Sequence, residues 1–159
     1  LCHSEAVRPE IARAAEYVDL PALYKESDVI TYHLPLTSAT RHMLNREALA
    51  GMKDGVILVN TARGELFETE ALIEGVENRK IGALAMDVFE GEDGIYHVDR
   101  TDDILRNRNM AYLRQFPNVV LTQHMAFYTM LSMESMIENS VEGLLGFIRS
   151  GQTKFEVKF

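Results

Sequence analysis

The sequence has little from which to build a covalent cross-link or a membrane span. Its one cysteine, Cys2, has no partner within the chain, so an internal disulfide is excluded and a reducing, cytoplasmic setting is expected. Long apolar runs are also missing. The run Val56–Val59 is far shorter than the roughly 20 residues that a membrane-spanning helix needs, so no membrane association is expected.

Basic residues are scarce as well. The chain has 16 Lys and Arg against 24 Asp and Glu, which gives a formal net charge of −8. A protein that binds a phosphate backbone needs a dense basic patch, so nucleic acid is not expected as a partner. Metal-ligand spacings such as His-Glu-x-x-His and Cys-x-x-Cys do not occur, and no metal site is predicted.

What is present is the pattern of a folded α/β domain. The composition is 47% hydrophobic and 25% charged, which is typical of a globular protein and excludes global disorder. Short apolar runs alternate with helical patterns, which predicts βαβ units and a parallel sheet whose apolar strands are buried on both faces. A polar stretch from Glu90 to Arg108 is predicted to be a long irregular loop. The predicted strands are about 17–18, 29–32, 56–59, 82–86 and 119–122, and the predicted helices are about 9–16, 20–26, 46–51, 68–78 and 129–150.

The last predicted helix runs from Thr129 to about Ser150 and ends at Gly151, a residue typical of helix C-termini. This helix begins the second of two predicted units: the first is residues 1–128 and the second is residues 129–159. Its apolar side chains are predicted to pack on another protein surface, with a methionine-lined partner groove as the alternative. These side chains recur at spacings of three and four: Met130, Met133, Ile137, Val141, Leu144 and Ile148.

Polar residues follow the predicted strands at their carboxyl ends, where open α/β sheets bind ligands. Each has an ordinary structural interpretation when taken alone, such as a surface cation for Arg63 or a loop histidine for His124. Together they form a reactive set. An imidazole beside a carboxylate is an acid–base pair, and an arginine at a helix start suits a carboxylate ligand, so the set predicts reduction of a 2-oxo acid. The residues are His33, Arg63, Asp87, Glu90, Glu92 and His124.

The same residues lie in motifs that resemble those of the D-isomer-specific 2-hydroxyacid dehydrogenases, most closely the D-lactate dehydrogenase branch. The resemblance runs from about residue 16 to 151. The spacings between the reactive residues also resemble those of the family. The matching stretches are Ser27–Ile30, His33–Thr37, Met52–Gly64, Asp87–Glu92 and Pro117–His124.

The resemblance implies a role for each position. Arg63 would bind the substrate carboxylate, His124 would be the general acid, and Glu92 would be its carboxylate partner. Asp87 would lie near the nicotinamide end of NAD. The positions that would line the dinucleotide are Leu34, Pro35, Thr40, Thr61, Ala62, Arg63 and Asp87.

The family also implies parts that this sequence does not contain. The resemblance implies an α/β fold with a doubly wound parallel sheet, a Rossmann-type NAD-binding domain, and a C-terminal helix returning toward a substrate domain. No Gly-x-Gly-x-x-Gly occurs, so this domain is expected to be incomplete at its N-terminus. The chain alone is then expected to be inactive. The expected parent is a homodimer that interconverts pyruvate and D-lactate. The alternatives are an NAD-binding regulatory module, like the corepressors of the family, or an inactive fragment.

Overall fold

A four-stranded parallel sheet with the strand order β1-β2-β3-β4 lies at the centre of the fold. The computed structural model describes residues 1–4, 6–97, 99 and 107–156. The strands are β1 (Val29–Tyr32), β2 (Val56–Asn60), β3 (Ile81–Met86) and β4 (Val119–Leu121). The helices are α1 (Pro9–Ala12), α2 (Leu20–Glu26), α3 (Arg46–Ala50), α4 (Thr69–Glu77), α5 (Arg108–Leu113) and α6 (Met130–Ser150), with a 3₁₀ helix at Gly64–Leu66. The predicted α/β class with a parallel sheet is confirmed. The four strands follow one another across the sheet in the order in which they occur in the chain.

Short polar side chains begin the helices at the predicted positions. The carboxylate of Asp19 accepts a hydrogen bond from the backbone N–H of Ala22 at 2.8 Å, and Asn45 caps α3 in the same way at 3.0 Å. Such caps satisfy backbone donors that the helix leaves unpaired. At the other end of the chain, α6 ends at Gly151, whose φ of 71° is the left-handed conformation that glycine adopts without strain.

One face of the sheet carries the hydrophobic core. Ile30, Leu58 and Leu84 lie side by side in register on neighbouring strands, and all three are buried. Helix α4 packs on β3 and buries Leu72 and Val76 against this layer. Each such side chain contributes about 1.5–3 kcal/mol when fully buried, so this layer holds the strand ends in fixed relative positions.

The other face of the sheet is exposed, which corrects the prediction that the strands are buried on both faces. Val29 is 57% exposed, Ile57 39% and Val120 58%. The reason lies in the strand order. Strands that follow one another in chain order, joined by right-handed crossovers, place their connecting helices on one face of the sheet.

Two predicted segments differ from the structure. Helix α1 ends at Ala12, well before residue 16, and Tyr17 makes a single β-bridge to Cys2 in place of a strand. The predicted loop from Glu90 to Arg108 leads into α5, which the sequence reading missed. Asn107 caps this helix by accepting from Met110 N–H at 3.0 Å, while residues 98 and 100–106 of the predicted loop lie outside the described residues.

The chain forms two compact units, Leu1–His124 and Met125–Phe159. In the second, α6 buries none of its side chains, so the predicted apolar stripe is exposed, with Ile137 and Leu144 among its exposed members. The division predicted between residues 128 and 129 stays a prediction. Within the described part of the chain, no helix is both long and apolar enough to cross a bilayer.

Gly82 is the position in β3 where the fold tolerates no side chain. A Cβ atom there would lie 2.4 Å from the carbonyl oxygen of Gly55, and backbone atoms cannot move aside cheaply. We expect Gly82→Ala to lower the free energy of unfolding by about 1–3 kcal/mol in urea denaturation. Gly51→Ala is the matched control, since its Cβ would meet only Ala48 O at 3.5 Å and its φ is −76°. Equal effects of the two substitutions would contradict this packing.

Candidate active site

The register of the sheet brings the segments that follow β2, β3 and β4 to one edge. Asn60 is paired with Met86, and Met86 with Leu121. Backbone hydrogen bonds continue the ladder past the strands, from Asp87 N–H to the carbonyl oxygen of Asn60 at 3.0 Å and from Thr122 N–H to that of Met86 at 2.9 Å. The carboxyl ends of these strands therefore lie side by side, as a ligand-binding edge requires.

His124 and Glu92 form a hydrogen-bonded pair at this edge. The distance from His124 Nδ1 to Glu92 Oε1 is 2.6 Å, and both side chains are partly buried. The second carboxylate oxygen, Oε2, accepts from the backbone N–H of Phe89 at 2.5 Å. Because both oxygens are engaged, the carboxylate is held in one orientation and fixes the imidazole with Nε2 directed away from it.

The backbone of His124 is in the left-handed region, with φ 53°. This conformation costs a residue with a Cβ about 1–2 kcal/mol. His124 N–H donates to the carbonyl oxygen of Asp87 at 2.7 Å, which ties the turn to the end of β3. The turn places the ring beside Glu92, and the ring of His97 lies at a centroid distance of 6.1 Å from it.

Asp87 is a buried carboxylate, only 4% exposed, directly after β3. Thr122 donates its hydroxyl hydrogen to Asp87 Oδ1 at 2.5 Å. Asp87 therefore contacts the backbone of His124 through its own carbonyl and the end of β4 through its side chain. The sequence reading did not single out Thr122; its place at the carboxyl end of a predicted strand was the available signal.

Arg63 lies on a loop that a buried amide shapes. The side chain of Asn60, fully buried, donates to the carbonyl oxygen of Arg63 at 2.8 Å and accepts from Ala62 N–H at 3.0 Å. The guanidinium itself is exposed and donates to the carbonyl oxygen of Ala62 at 2.7 Å. Asn60 was also missed, although an amide that ends an apolar strand was visible in the sequence.

Gly64 joins the Arg63 loop to the turn that carries Glu92. A Cβ atom at Gly64 would lie 2.2 Å from the carbonyl carbon of Phe89 and 2.4 Å from the nitrogen of Glu90. Only glycine permits so close an approach. The structure therefore brings Asp87, Glu92 and His124 into contact and places the backbone of Arg63 one residue from the same turn.

The predicted loop after β1 is closed by its own hydrogen bonds. Thr40 donates its hydroxyl hydrogen to the carbonyl oxygen of Pro35 at 2.8 Å and accepts from Thr37 N–H at 2.8 Å. Leu34 is half-buried at the start of this loop. His33 makes a local hydrogen bond, with its Nε2 2.8 Å from Oγ1 of Thr31 on β1.

Tyr96 is a further polar group of this region. Burial, and then the charge of Glu92, raise the pKa of the Tyr96 phenol above its ordinary value, so the hydroxyl stays protonated. It donates to the sulfur of Met110 at 3.6 Å. Tyr96 is partly buried and packs against the hydrophobic core.

Most of the chain matches one known protein family. The family described as "D-isomer specific 2-hydroxyacid dehydrogenase, NAD binding domain" matches residues 2–126. The chain belongs to this family. The recognition made from the motifs is confirmed, and so are the Rossmann-type fold and NAD as the cofactor of the domain.

Relatives in the family are named for different substrates. The chain is 43% identical over 139 residues to an aromatic 2-oxoacid reductase of Clostridium sporogenes, covering 87% of this chain and 42% of that protein. It is 41% identical over 138 residues to D-lactate dehydrogenase of Escherichia coli K12, with coverage of 87% and 42%. The chain thus spans less than half the length of these relatives.

Solved dehydrogenase structures have the same fold. A D-lactate dehydrogenase from Treponema pallidum superposes with a TM-score of 0.94 at 31% identity, over 99% of this chain and 47% of that one. D-lactate dehydrogenase with NAD⁺ from Lactobacillus jensenii superposes with a TM-score of 0.91 at 32% identity, again over 99% and 47%.

The residues at the edge fit the polar end of a nicotinamide cofactor. Asp87 provides a fixed carboxylate, and Thr61 provides an exposed hydroxyl beside the Arg63 loop. A nicotinamide carboxamide has both donor and acceptor groups, which such side chains can bind. The glycine-rich turn that holds the pyrophosphate in Rossmann domains does not occur in this sequence.

Asn60 is expected to be essential for the Arg63 loop. Asn60→Asp keeps the acceptor for Ala62 N–H, but it removes the donor to Arg63 O and buries a charge. We expect the substitution to lower the free energy of unfolding by about 2–4 kcal/mol. Asn78→Asp, which keeps an exposed acceptor for Lys80 N–H, is the control and should change it by less than about 0.5 kcal/mol. Urea denaturation measures both, and a stable Asn60→Asp variant would contradict the role of the amide.

Proposed function

We propose that the protein carrying this chain is an NAD-dependent oxidoreductase that reduces a small 2-oxo acid, pyruvate, to the D-2-hydroxy acid. The observation that carries the proposal is the His124–Glu92 pair, 2.6 Å apart, beside Asp87 and the Arg63 loop. A histidine held by a carboxylate at Nδ1 is the arrangement of a general acid and base.

Each residue has a separate part in the reduction. The Arg63 guanidinium binds the substrate carboxylate in a bidentate manner and draws electron density from the adjacent carbonyl group. His124 gives its Nε2 proton to the carbonyl oxygen, and Glu92 stabilises the imidazolium form before the transfer. When bound, reduced NAD supplies the hydride to the carbonyl carbon. In the reverse reaction His124 accepts the hydroxyl proton through the same nitrogen.

The second candidate substrate is an aromatic 2-oxo acid. The aromatic 2-oxoacid reductase of Clostridium sporogenes, at 43% identity, favours it. The motif resemblance to the D-lactate dehydrogenase branch, together with the D-lactate dehydrogenases among the solved relatives, favours pyruvate. Both substrates share the carboxylate and carbonyl that Arg63 and His124 would contact, so these residues do not discriminate between them.

The full-length protein is also proposed to be a cytoplasmic homodimer. The single cysteine, Cys2, suits a reducing compartment. The apolar side chains exposed along α6 supply surface of the kind that subunit interfaces cover.

The substrate is tested by following loss of NADH absorbance with the full-length protein. We expect kcat/KM for pyruvate to exceed that for phenylpyruvate by at least about tenfold. The reverse order would replace pyruvate with the aromatic substrate and leave the reaction type intact. A folded protein that binds NADH and turns over neither compound would favour the regulatory, NAD-binding alternative.

The role of His124 is tested by His124→Gln in the same assay. Loss of the proton donor is expected to lower kcat by at least about a hundredfold, with little change in NADH affinity. His3→Gln is the control, because His3 is exposed and its Nδ1 lies 3.0 Å from the carbonyl oxygen of Val18, in a segment that the proposed reaction does not involve. A His124→Gln variant with near-normal kcat would remove this residue from the mechanism.

A further inference from the structure

Glu90 is a charged residue at the carboxyl edge that the proposed reaction does not use. It lies two residues before Glu92 and its side chain is only 25% exposed. Three donors surround its carboxylate. His42 Nε2 lies 2.7 Å from Oε1, Thr69 Oγ1 donates to Oε2 at 2.9 Å, and Arg41 Nη2 reaches Oε1 at 3.5 Å.

These contacts join separate parts of the chain to one turn. His42 lies in the segment between β1 and α3, and Thr69 is the first residue of α4. The backbone carbonyl of Glu90 also accepts from Asn107 Nδ2, at the start of α5, at 3.1 Å. The Phe89–Glu92 turn is thereby fastened to three segments that are distant from it in sequence.

The donors keep the Glu90 carboxylate ionised. Burial alone would raise the pKa of Glu90, but the hydrogen bonds from His42 and Thr69 outweigh it and hold that pKa below its ordinary value. Since an ionised carboxylate only accepts hydrogen bonds, His42 Nε2 is the donor in its bond to Glu90. His42 is itself fixed, because its backbone N–H donates to Glu65 O at 2.8 Å.

The turn needs such an anchor because it contains a permissive residue. Gly91 lies between the two glutamates with φ 75°, and glycine, which has no Cβ, has more backbone conformations open to it than any other residue. Within the turn, Glu92 N–H donates to Phe89 O at 3.1 Å and Phe89 N–H donates to Glu92 Oε2. These bonds close the turn on itself, whereas the Glu90 side chain ties it to His42 and Thr69. A shift of this turn would move the carboxylate that holds His124.

We propose that Glu90 is a positioning residue, which holds the Phe89–Glu92 turn and thereby the Glu92–His124 pair in the geometry for proton transfer. The inference rests on the proposed function for its effect on catalysis. Its structural part, the orientation of the His124 ring, can be measured without turnover.

The kinetic test uses Glu90→Gln in the full-length protein. We expect kcat for 2-oxo acid reduction to fall about tenfold and KM for NADH to change less than about twofold. If Glu90 acts through Glu92, the double variant Glu90→Gln/Glu92→Gln loses no more activity than Glu92→Gln alone. Additive losses, or an unchanged kcat in Glu90→Gln, would overturn the proposal.

Glu74→Gln is the matched control. Glu74 is also an ion-paired carboxylate, bonded to Arg46 at 2.5 Å, but its partner lies on α3. The same chemical change there is expected to leave kcat within about twofold. A merely structural effect of Glu90→Gln would lower thermal stability while leaving kcat per folded molecule unchanged, as in the control.

A spectroscopic test separates this proposal from the proposed function. The proton on His124 Nδ1, bonded to Glu92, gives a low-field NMR resonance that is assigned by its loss in His124→Gln. We expect this resonance to shift upfield in Glu90→Gln and to stay in place in Glu74→Gln. An unmoved resonance overturns the positioning role even if the protein reduces no 2-oxo acid. If Glu90→Gln fails to fold, Thr69→Val and His42→Gln, which remove one donor each, are measured in the same way and must show the same shift.

Discussion

The carboxylate of Glu92 accepts one hydrogen bond from the His124 ring and another from the backbone of Phe89. The first contact gives the imidazole a fixed tautomer, and the second prevents the carboxylate from rotating away. The two contacts form a short bridge between the loop that carries Glu92 and the loop that carries His124. Because the bridge joins the ends of β3 and β4, its length depends on the register between those strands.

The register in turn depends on ordinary packing. Buried aliphatic side chains from three neighbouring strands form one layer, and α4 covers it. Parallel strands in this order deliver their carboxyl ends to the same edge, so loops that are distant along the chain meet there. The buried amide of Asn60 and the bare backbone of Gly64 then set the approach of the Arg63 loop to the Glu92 turn.

Much of this could be predicted from the sequence, because its signals are local. Apolar runs marked β1 to β4, Asp19 and Asn45 marked helix starts, and the polar residues after the strands marked the edge. The exposed second face could not be predicted, since an apolar run shows that a strand suits burial but not what covers it. Helix α5 was missed because it has only six residues, too few to show a helical period, and follows directly on a long polar stretch.

The site divides in the same way. The identities of Arg63, Glu92 and His124 followed from spacing and resemblance, and the contact of Glu92 with His124 agrees with them. The supporting residues were harder to find, since Asn60, Thr122 and Glu90 act through bonds to groups distant in the chain. No local pattern distinguishes a buried amide with two backbone partners from one exposed to water.

The guanidinium, the carboxylate and the imidazole all lie within one continuous stretch of polypeptide, from Arg63 to His124. Such contiguity has an evolutionary consequence. A single recombination event between related genes can exchange this stretch as a block, and the groups proposed to transfer the proton then stay with the strands and loops that align them. Substrate preference can diverge among descendants while the proposed acid–base pair is inherited together.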